Sequence, residues 1–235
     1  MPEPEDLAPA YAIRLRLAGH ALARAGLVHA YGHVSVRLDN ESFAVTAAKP
    51  LGLLAAGDEP VRVPLTGSLP AAVLPEVVMH QQVYRRRPDV EAVVRFQSPQ
   101  LITLSTLGRT PRARHGFGAY FSPAPPLHDD PRLVRDVDRA GRVADQLGAS
   151  RAIVLRANGA LCVGRSLEEA LTLAWYLEDA ARVELGVLAT GQTGLELTDG
   201  EARDRAITTG GLYERMWEWL TRGESIDSSA RGPHS

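Results

Sequence analysis

Two apolar segments joined by an asparagine–glycine pair place the firmest constraint on the fold of this chain. The segments RAIVLRA (151–157) and ALCVG (160–164) are separated only by Asn158-Gly159. Asn-Gly favours the backbone of a two-residue hairpin turn, so the segments are predicted to be antiparallel neighbours in a sheet. Further strands are predicted where apolar and polar residues alternate or a short apolar run is bounded by turns, in HVSVRLD (33–39), SFAVTAA (42–48), PVRVPL (60–65) and VEAVVRFQ (90–97).

Helices are predicted between and after these strands. Apolar residues at helical spacing predict them at about 5–27, 75–86, 100–107, 131–147, 166–188 and 199–221. Pro75 suits a first helical turn, and Ser166 followed by Glu169 predicts a capping box. We therefore predict one α/β domain over residues 1–221, with three layers and a mostly antiparallel central sheet flanked by helices, followed by a disordered tail at 222–235.

Composition excludes several classes of partner. The net charge is −2 and no basic stripe is interleaved with aromatic residues, so we expect no nucleic-acid partner. No apolar run reaches the roughly 18 residues of a membrane span, and the acidic start MPEPEDLAPA is unlike a signal peptide, so we expect no membrane partner and a cytoplasmic location. Cys162 is the only cysteine, which excludes an internal disulfide and a thiolate metal cluster.

A cation and an amide share one face at the end of a buried strand. In VVRFQSP (93–99), side chains two apart lie on the same face, so Arg95 and Gln97 point one way and Phe96 the other. Ser98-Pro99 then ends the strand. This pattern indicates a polar site at the point where the strand leaves the core.

Three segments, in order, resemble the class II aldolase/adducin family, which includes fuculose-phosphate and rhamnulose-phosphate aldolases. LARAGLVHAYGHVSVR (22–37) is similar to the opening helix and Gly-Asn-x-Ser anion loop of that family. PEVVMHQQVYRRRPDVEAVV (75–94) resembles the helix that carries the catalytic acid and the strand after it, and LRANGALCVGRSLEEAL (155–171) resembles the segment with the last metal ligand. The resemblance implies a central antiparallel sheet between helices and a homotetramer with active sites at subunit interfaces.

The resemblance also implies where the family's metal would be. Family members hold a metal, typically zinc, by a His-x-His pair at a strand end and a third histidine in an Asn-His-Gly turn, and a glutamate on the preceding helix acts as acid and base. The corresponding residues here are Arg95 and Gln97, Asn158, and Glu76. A guanidinium offers no lone pair and repels a divalent cation. We therefore expect that the zinc site is lost and that no cofactor is needed. A metal bound elsewhere in the cleft remains an alternative.

The altered positions predict a site for an organic anion. Arg95 is expected to bind a carboxylate or to stabilise an enolate oxygen, with Gln97 and Asn158 beside it as substrate contacts. Glu76 is expected to exchange a proton with the substrate. The alternative is purely structural: an internal ion pair between Glu76 and Arg95, in which the two amides fill their hydrogen bonds.

Five more residues are candidates for the site. His33 replaces the asparagine of the anion loop and is predicted to contact an anionic or phenolic group and to titrate near neutral pH, while Ser35 retains the family's hydroxyl. Lys49 is predicted as a substrate contact, an alternative to Arg95 for orienting the carboxylate. It lies near the family's phosphate loop, whose small hydroxyl residues are missing, which favours an unphosphorylated acid as substrate. Tyr120 is predicted to supply an aromatic acid to a neighbouring subunit, and His115 to contact substrate.

Three functions remain compatible with these residues. The first is a lyase that breaks a C–C bond of a small oxygenated carboxylic acid, either aromatic or aliphatic, by decarboxylation or retro-aldol cleavage, without the family's zinc; some family members are linked to decarboxylation of dihydroxyaromatic acids. The second is a metalloenzyme with a rearranged site, such as an iron oxygenase using Glu76, His80 or His33. The third is a non-catalytic scaffold like the adducin head. The first is our prediction.

Overall fold

A computed structural model describes residues 9–224. Within this range the α-helices are α1 Pro9–Arg24, α2 Val78–Arg86, α3 Pro99–Thr106, α4 Val137–Leu147, α5 Leu167–Ala189, α6 Asp199–Arg205 and α7 Leu212–Thr221. The strands are β1 His33–Arg37, β2 Ser42–Val45, β3 Val61–Pro64, β4 Ala92–Phe96, β5 Leu127–His128, β6 Ala152–Leu155 and β7 Ala160–Gly164.

All of these strands belong to one sheet of order β3-β2-β1-β4-β7-β6-β5. Every pairing is antiparallel except that of β5 with β6. The hairpin predicted at Asn158-Gly159 joins β6 to β7. Gly159 has φ +81°, and a Cβ placed on it would lie 2.0 Å from the carbonyl oxygen of Phe96, so the turn admits only glycine there.

The two faces of the sheet bury separate apolar cores, which gives the predicted three-layer arrangement. In β4 the alternation is direct: Val94 and Phe96 join the core under α1, α3, α5 and α7, and Val93 joins the core under α2 and α4. Arg95 is two residues from Val93 and therefore points to the α2 side. The predicted mostly antiparallel sheet flanked by helices is thus confirmed.

Several predicted boundaries need correction. The predicted helix at 199–221 is two helices: α6 ends at Arg205, and Gly210 and Gly211, with φ +77° and +68°, lie directly before α7. The helix predicted from 131 begins only at Val137, where the Asp136 side chain accepts a hydrogen bond from the backbone N–H of Arg139. The short strand β5 was not predicted, since two residues carry no periodic signal.

Two further features, at α5 and at the end of the chain, also differ from the prediction. At α5 the Ser166 hydroxyl caps the backbone N–H of Glu169, but the carboxylate of Glu169 accepts from the N–H of Arg165, so the capping box is incomplete. Of the tail predicted as disordered, residues 225–235 lie outside the described range, whereas Glu224 is bound by His20 and Arg24. Across residues 9–224, none of the helices combines the length and the apolar character that crossing a membrane requires.

Candidate functional site

The pairing of β1 with β4 brings His33 and Arg95 together. They are direct cross-strand partners, and both point to the face covered by α2. Asn158 follows β6 at the same end of the sheet, in the hairpin that Gly159 closes. Glu76 lies in the 3-10 turn Pro75–Val77 that leads into α2. The structure therefore collects residues from four separate segments at one edge.

Arg95 is a buried cation, and some of its N–H groups have no acceptor among the described residues. It is only 5% exposed; Nη1 donates to the carbonyl oxygen of Phe96 at 2.6 Å, and Nη2 donates to Oδ1 of Asn158 at 2.9 Å. Its Nε–H is fully buried and has no hydrogen-bond partner in the described part of the chain. Burial lowers the pKa of Arg95 to about 10, partly opposed by the charge of Glu76, so the guanidinium stays protonated at neutral pH. Within residues 9–224 no carboxylate lies at ion-pair distance from it.

The residues at the family's metal positions do not fit zinc. Gln97 donates through Nε2 to Oδ1 of Asn158 at 2.8 Å, so this oxygen already accepts from Gln97 and from Arg95. A guanidinium has no lone pair to offer, and the amide oxygen that has one faces two donors. In the described part of the chain, no cluster of three His, Cys, Asp or Glu side chains is arranged to hold a metal.

Glu76 binds a different arginine from the one predicted. Its carboxylate accepts from Nε of Arg135 at 2.7 Å, and the internal Glu76–Arg95 ion pair of the structural alternative does not form. Glu76 is nevertheless close enough for its charge to raise the pKa of Arg95. Arg135 was missed because it lies in an irregular segment before α4 and carries no sequence pattern.

A chain of hydrogen bonds runs inward from His33. Its Nδ1 bonds to Nε2 of His80 at 2.7 Å; Nδ1 of His80 bonds to Oγ of Ser35 at 2.6 Å, and this oxygen bonds to the hydroxyl of Tyr84 at 2.8 Å. Ser35 is fully buried in the middle of this chain of hydrogen bonds, so it cannot contact substrate as predicted. Both ring nitrogens of His80 are used, which leaves none for a metal shared with Glu76.

The two histidines in this chain of hydrogen bonds, His33 and His80, are neutral. Burial, assisted by His80 and Arg95, lowers the pKa of His33 well below its usual value. Burial and the charge of Arg95 lower the pKa of His80 to about 3. The prediction that His33 titrates near neutral pH is therefore wrong, because a second cation beside the buried guanidinium is strongly disfavoured.

Three predicted residues lie apart from this group. Lys49 is half exposed and its ammonium pairs with Asp58. Tyr120 is buried in the core on the opposite face of the sheet, where its hydroxyl donates to the carbonyl oxygen of Ile207 at 2.5 Å, which speaks against its role as an acid offered to a neighbouring subunit. Nε2 of His115 bonds to Asp179 at 2.9 Å, on α5.

Comparison with known proteins gives the relationships of the chain. Residues 14–185 match the family described as Class II Aldolase and Adducin N-terminal domain. A 3,4-dihydroxyphthalate decarboxylase of Arthrobacter keyseri is 26% identical, over 87% of this chain and 89% of that protein. A protein of the same name from Terrabacter sp. strain DBF63 is 27% identical, over 71% and 76%.

Solved structures agree with the sequence relationships. The L-fuculose-1-phosphate aldolase of Thermus thermophilus aligns with a TM-score of 0.70 and 29% identity, over 81% of this chain and 100% of that chain. The match to the family extends over most of the chain, from α1 into α5, and includes every strand of the sheet. The chain belongs to the class II aldolase and adducin family.

Proposed function

We propose that this protein is a decarboxylase of a small aromatic hydroxy acid and that it works without a metal. The names of two relatives, each matched over more than two thirds of its length, support a carbon–carbon lyase, the class that the sequence predicts. The proposed substrate follows the chemistry of those names, an aromatic ring with carboxylate and hydroxyl groups.

One observation carries the proposal: Arg95 is a buried guanidinium with no carboxylate partner among the residues that the structure describes. An uncompensated buried charge is costly, by several kcal/mol, unless a ligand completes it. Nη1 and Nη2 each bear a second N–H besides the one already donated, and two such N–H groups form a fork that matches a carboxylate. Gln97 and Asn158 hold one side of this fork, so their role is to position Arg95 as well as to border the substrate.

Glu76 supplies the proton transfer in this proposal. Paired with Arg135, it is available as a carboxylate that accepts the proton of a substrate hydroxyl and gives it to the ring carbon that bears the leaving carboxylate. The bond between that carbon and the carboxylate then breaks, CO₂ leaves, and the electron pair returns to the oxygen as a phenolate. The phenolate takes a proton from solvent, so one proton is consumed for each CO₂ released.

The finer expectations on assembly and location belong to this proposal. We propose a homotetramer in the cytoplasm, with the sites at subunit interfaces as the family resemblance implies. Tyr31 and Leu53, which lie just before β1 and after β2, are 71% and 73% exposed apolar side chains. Tyr31 lies two residues before His33, and exposed side chains of this kind support an interface between subunits.

The experiment is a CO₂-release assay with a panel of aromatic acids, using protein dialysed against a chelator and checked for metal by elemental analysis. We expect release from at least one ortho-hydroxy acid by the metal-free protein, and a loss of at least about 100-fold in Arg95→Gln. Arg112→Gln, which removes an exposed arginine elsewhere, is the matched control. Activity that appears only on adding a divalent metal and survives Arg95→Gln would overturn the proposal.

A further inference from the structure

The direction of every hydrogen bond in the buried chain can be worked out from its inner end. The hydroxyl of Tyr84 is buried, and its acceptor among the described residues is Oγ of Ser35. A buried hydroxyl hydrogen needs an acceptor, so Tyr84 donates to Ser35.

The remaining directions follow in sequence. Because the Ser35 oxygen accepts from Tyr84, its own hydrogen is left for its other partner, Nδ1 of His80. A neutral imidazole carries one N–H, so His80 bears its hydrogen on Nε2 and donates it to Nδ1 of His33. His33 is neutral as well, and its single hydrogen must lie on Nε2.

The Nε2 atom of His33 is the outer end of this chain of hydrogen bonds. It has no hydrogen-bond partner in the described structure, yet it is not among the fully enclosed polar atoms, so it retains some exposure to solvent. Its neighbour across the strands is Arg95, and Cβ atoms of such partners lie about 4.5–5.5 Å apart. Two kinds of donor, a charged fork and a neutral N–H, therefore stand side by side.

We infer that His33 is a fixed neutral hydrogen-bond donor that selects acids with an oxygen ortho to the carboxylate, and that His80, Ser35 and Tyr84 position it by locking its tautomer. This inference rests on the proposed function. In an ortho-hydroxybenzoate the phenolic O–H closes onto its own carboxylate until Glu76 takes the proton, so on binding the phenolic oxygen presents lone pairs outward. Only a donor can meet those lone pairs, while Arg95 takes the carboxylate.

The same donor serves the reaction. When CO₂ leaves, the electron pair ends on the ortho oxygen, and a preset donor at that oxygen stabilises the charge where it develops. A neutral imidazole suits this role because it gives a hydrogen bond without adding a second positive charge next to Arg95. His33 is thus a substrate-contacting residue, and the three residues behind it act through it.

Nitrogen-15 NMR of the histidine rings tests the tautomer directly. We expect His33 and His80 in the wild type to carry hydrogen on Nε2 and none on Nδ1 at pH 7, with the two rings assigned by loss of signal in His33→Phe and His80→Gln. A hydrogen on Nδ1 of His33 would overturn the inference. This readout needs neither activity nor ligand.

Calorimetric binding of benzoate, 2-hydroxybenzoate and 3-hydroxybenzoate tests the selection. We expect the ortho hydroxyl to improve affinity about tenfold over benzoate, the meta hydroxyl to give no gain, and His33→Phe to abolish the ortho gain while benzoate still binds. In the wild type alone, 2-methoxybenzoate, which can only accept, should keep part of the gain; its complete loss would contradict a donor at His33.

The two ideas fail separately. If benzoate binds equally well to the wild type and to Arg95→Gln, the proposed anion site is wrong. If benzoate binding needs Arg95 but the ortho hydroxyl adds nothing, or if its gain survives in His33→Phe, the proposed site stands and the selection by His33 is refuted.

Discussion

Mild acid should destabilise this protein through His33 and His80. Both are buried and neutral in the folded chain, with the pKa of each lowered chiefly by burial, that of His80 to about 3. In the unfolded chain imidazoles titrate near 6.5, so below that pH the unfolded state binds protons that the folded state cannot. Stability is therefore complete above pH 6.5 and falls as the pH falls.

The size of the loss follows from the same difference. A histidine that stays neutral in the folded state at pH 5 lowers the free energy of unfolding by about 2 kcal/mol relative to high pH, so the pair accounts for about 4 kcal/mol. Domains have only about 5–15 kcal/mol in total. Carboxylates with lowered pKa, such as Asp39 and Asp89, lose their stabilisation mainly at lower pH, which leaves pH 5–7 as the window for the histidines.

Urea unfolding at fixed ionic strength, repeated from pH 7 to pH 5, measures this term. The double variant His33→Asn/His80→Asn removes both imidazoles; it will be less stable at pH 7, but its free energy of unfolding should fall by about 4 kcal/mol less than that of the wild type across the window. His29→Asn, which replaces an exposed histidine, is the matched control. Equal pH dependence in the wild type and the double variant would refute the burial of two neutral histidines.

Two further predictions concern the site and the assembly. Glu76→Gln keeps the size of the side chain but removes its base, so kcat for CO₂ release should fall by about 100–10,000-fold with little change in KM, and Glu76→Asp should recover part of it in the same steady-state assay. Light scattering coupled to size-exclusion chromatography should give the mass of a tetramer for the wild type and a smaller species for Leu53→Glu; a monomeric wild type would contradict the proposed assembly.

The local part of the site could be predicted from sequence. The alternation in VVRFQSP places Arg95 and Gln97 on one face, and Asn158-Gly159 places a hairpin, because both patterns depend on neighbours in the chain. The break at Gly210-Gly211 was also visible, as two residues that weaken a helix, but the apolar spacing around them favoured one long helix.

The part of the site that depends on contacts between distant residues could not be predicted from sequence. Whether His33 meets His80 depends on how α2 packs across β1, and these residues are 47 positions apart in the chain. No periodicity reports such a contact, nor the ion pair between Glu76 and Arg135, which comes from an irregular loop. Tyr120 was misplaced for the same reason: the loop that carries it passes to the other face of the sheet, and its composition does not say which face.

The charges at the site agree with a singly charged substrate. Arg95 and Arg135 supply two positive charges, Glu76 supplies one negative charge, and Lys49, the other cation considered, is already paired with Asp58. The remaining charge of +1 belongs to Arg95, because Arg135 is the partner of Glu76. Since His33 is held neutral, it adds hydrogen-bonding capacity to this balance and no charge. In the proposed reaction a monoanion at Arg95 therefore completes the site electrostatically, and when CO₂ leaves, the negative charge moves by only a few atoms, to the oxygen that we propose His33 contacts.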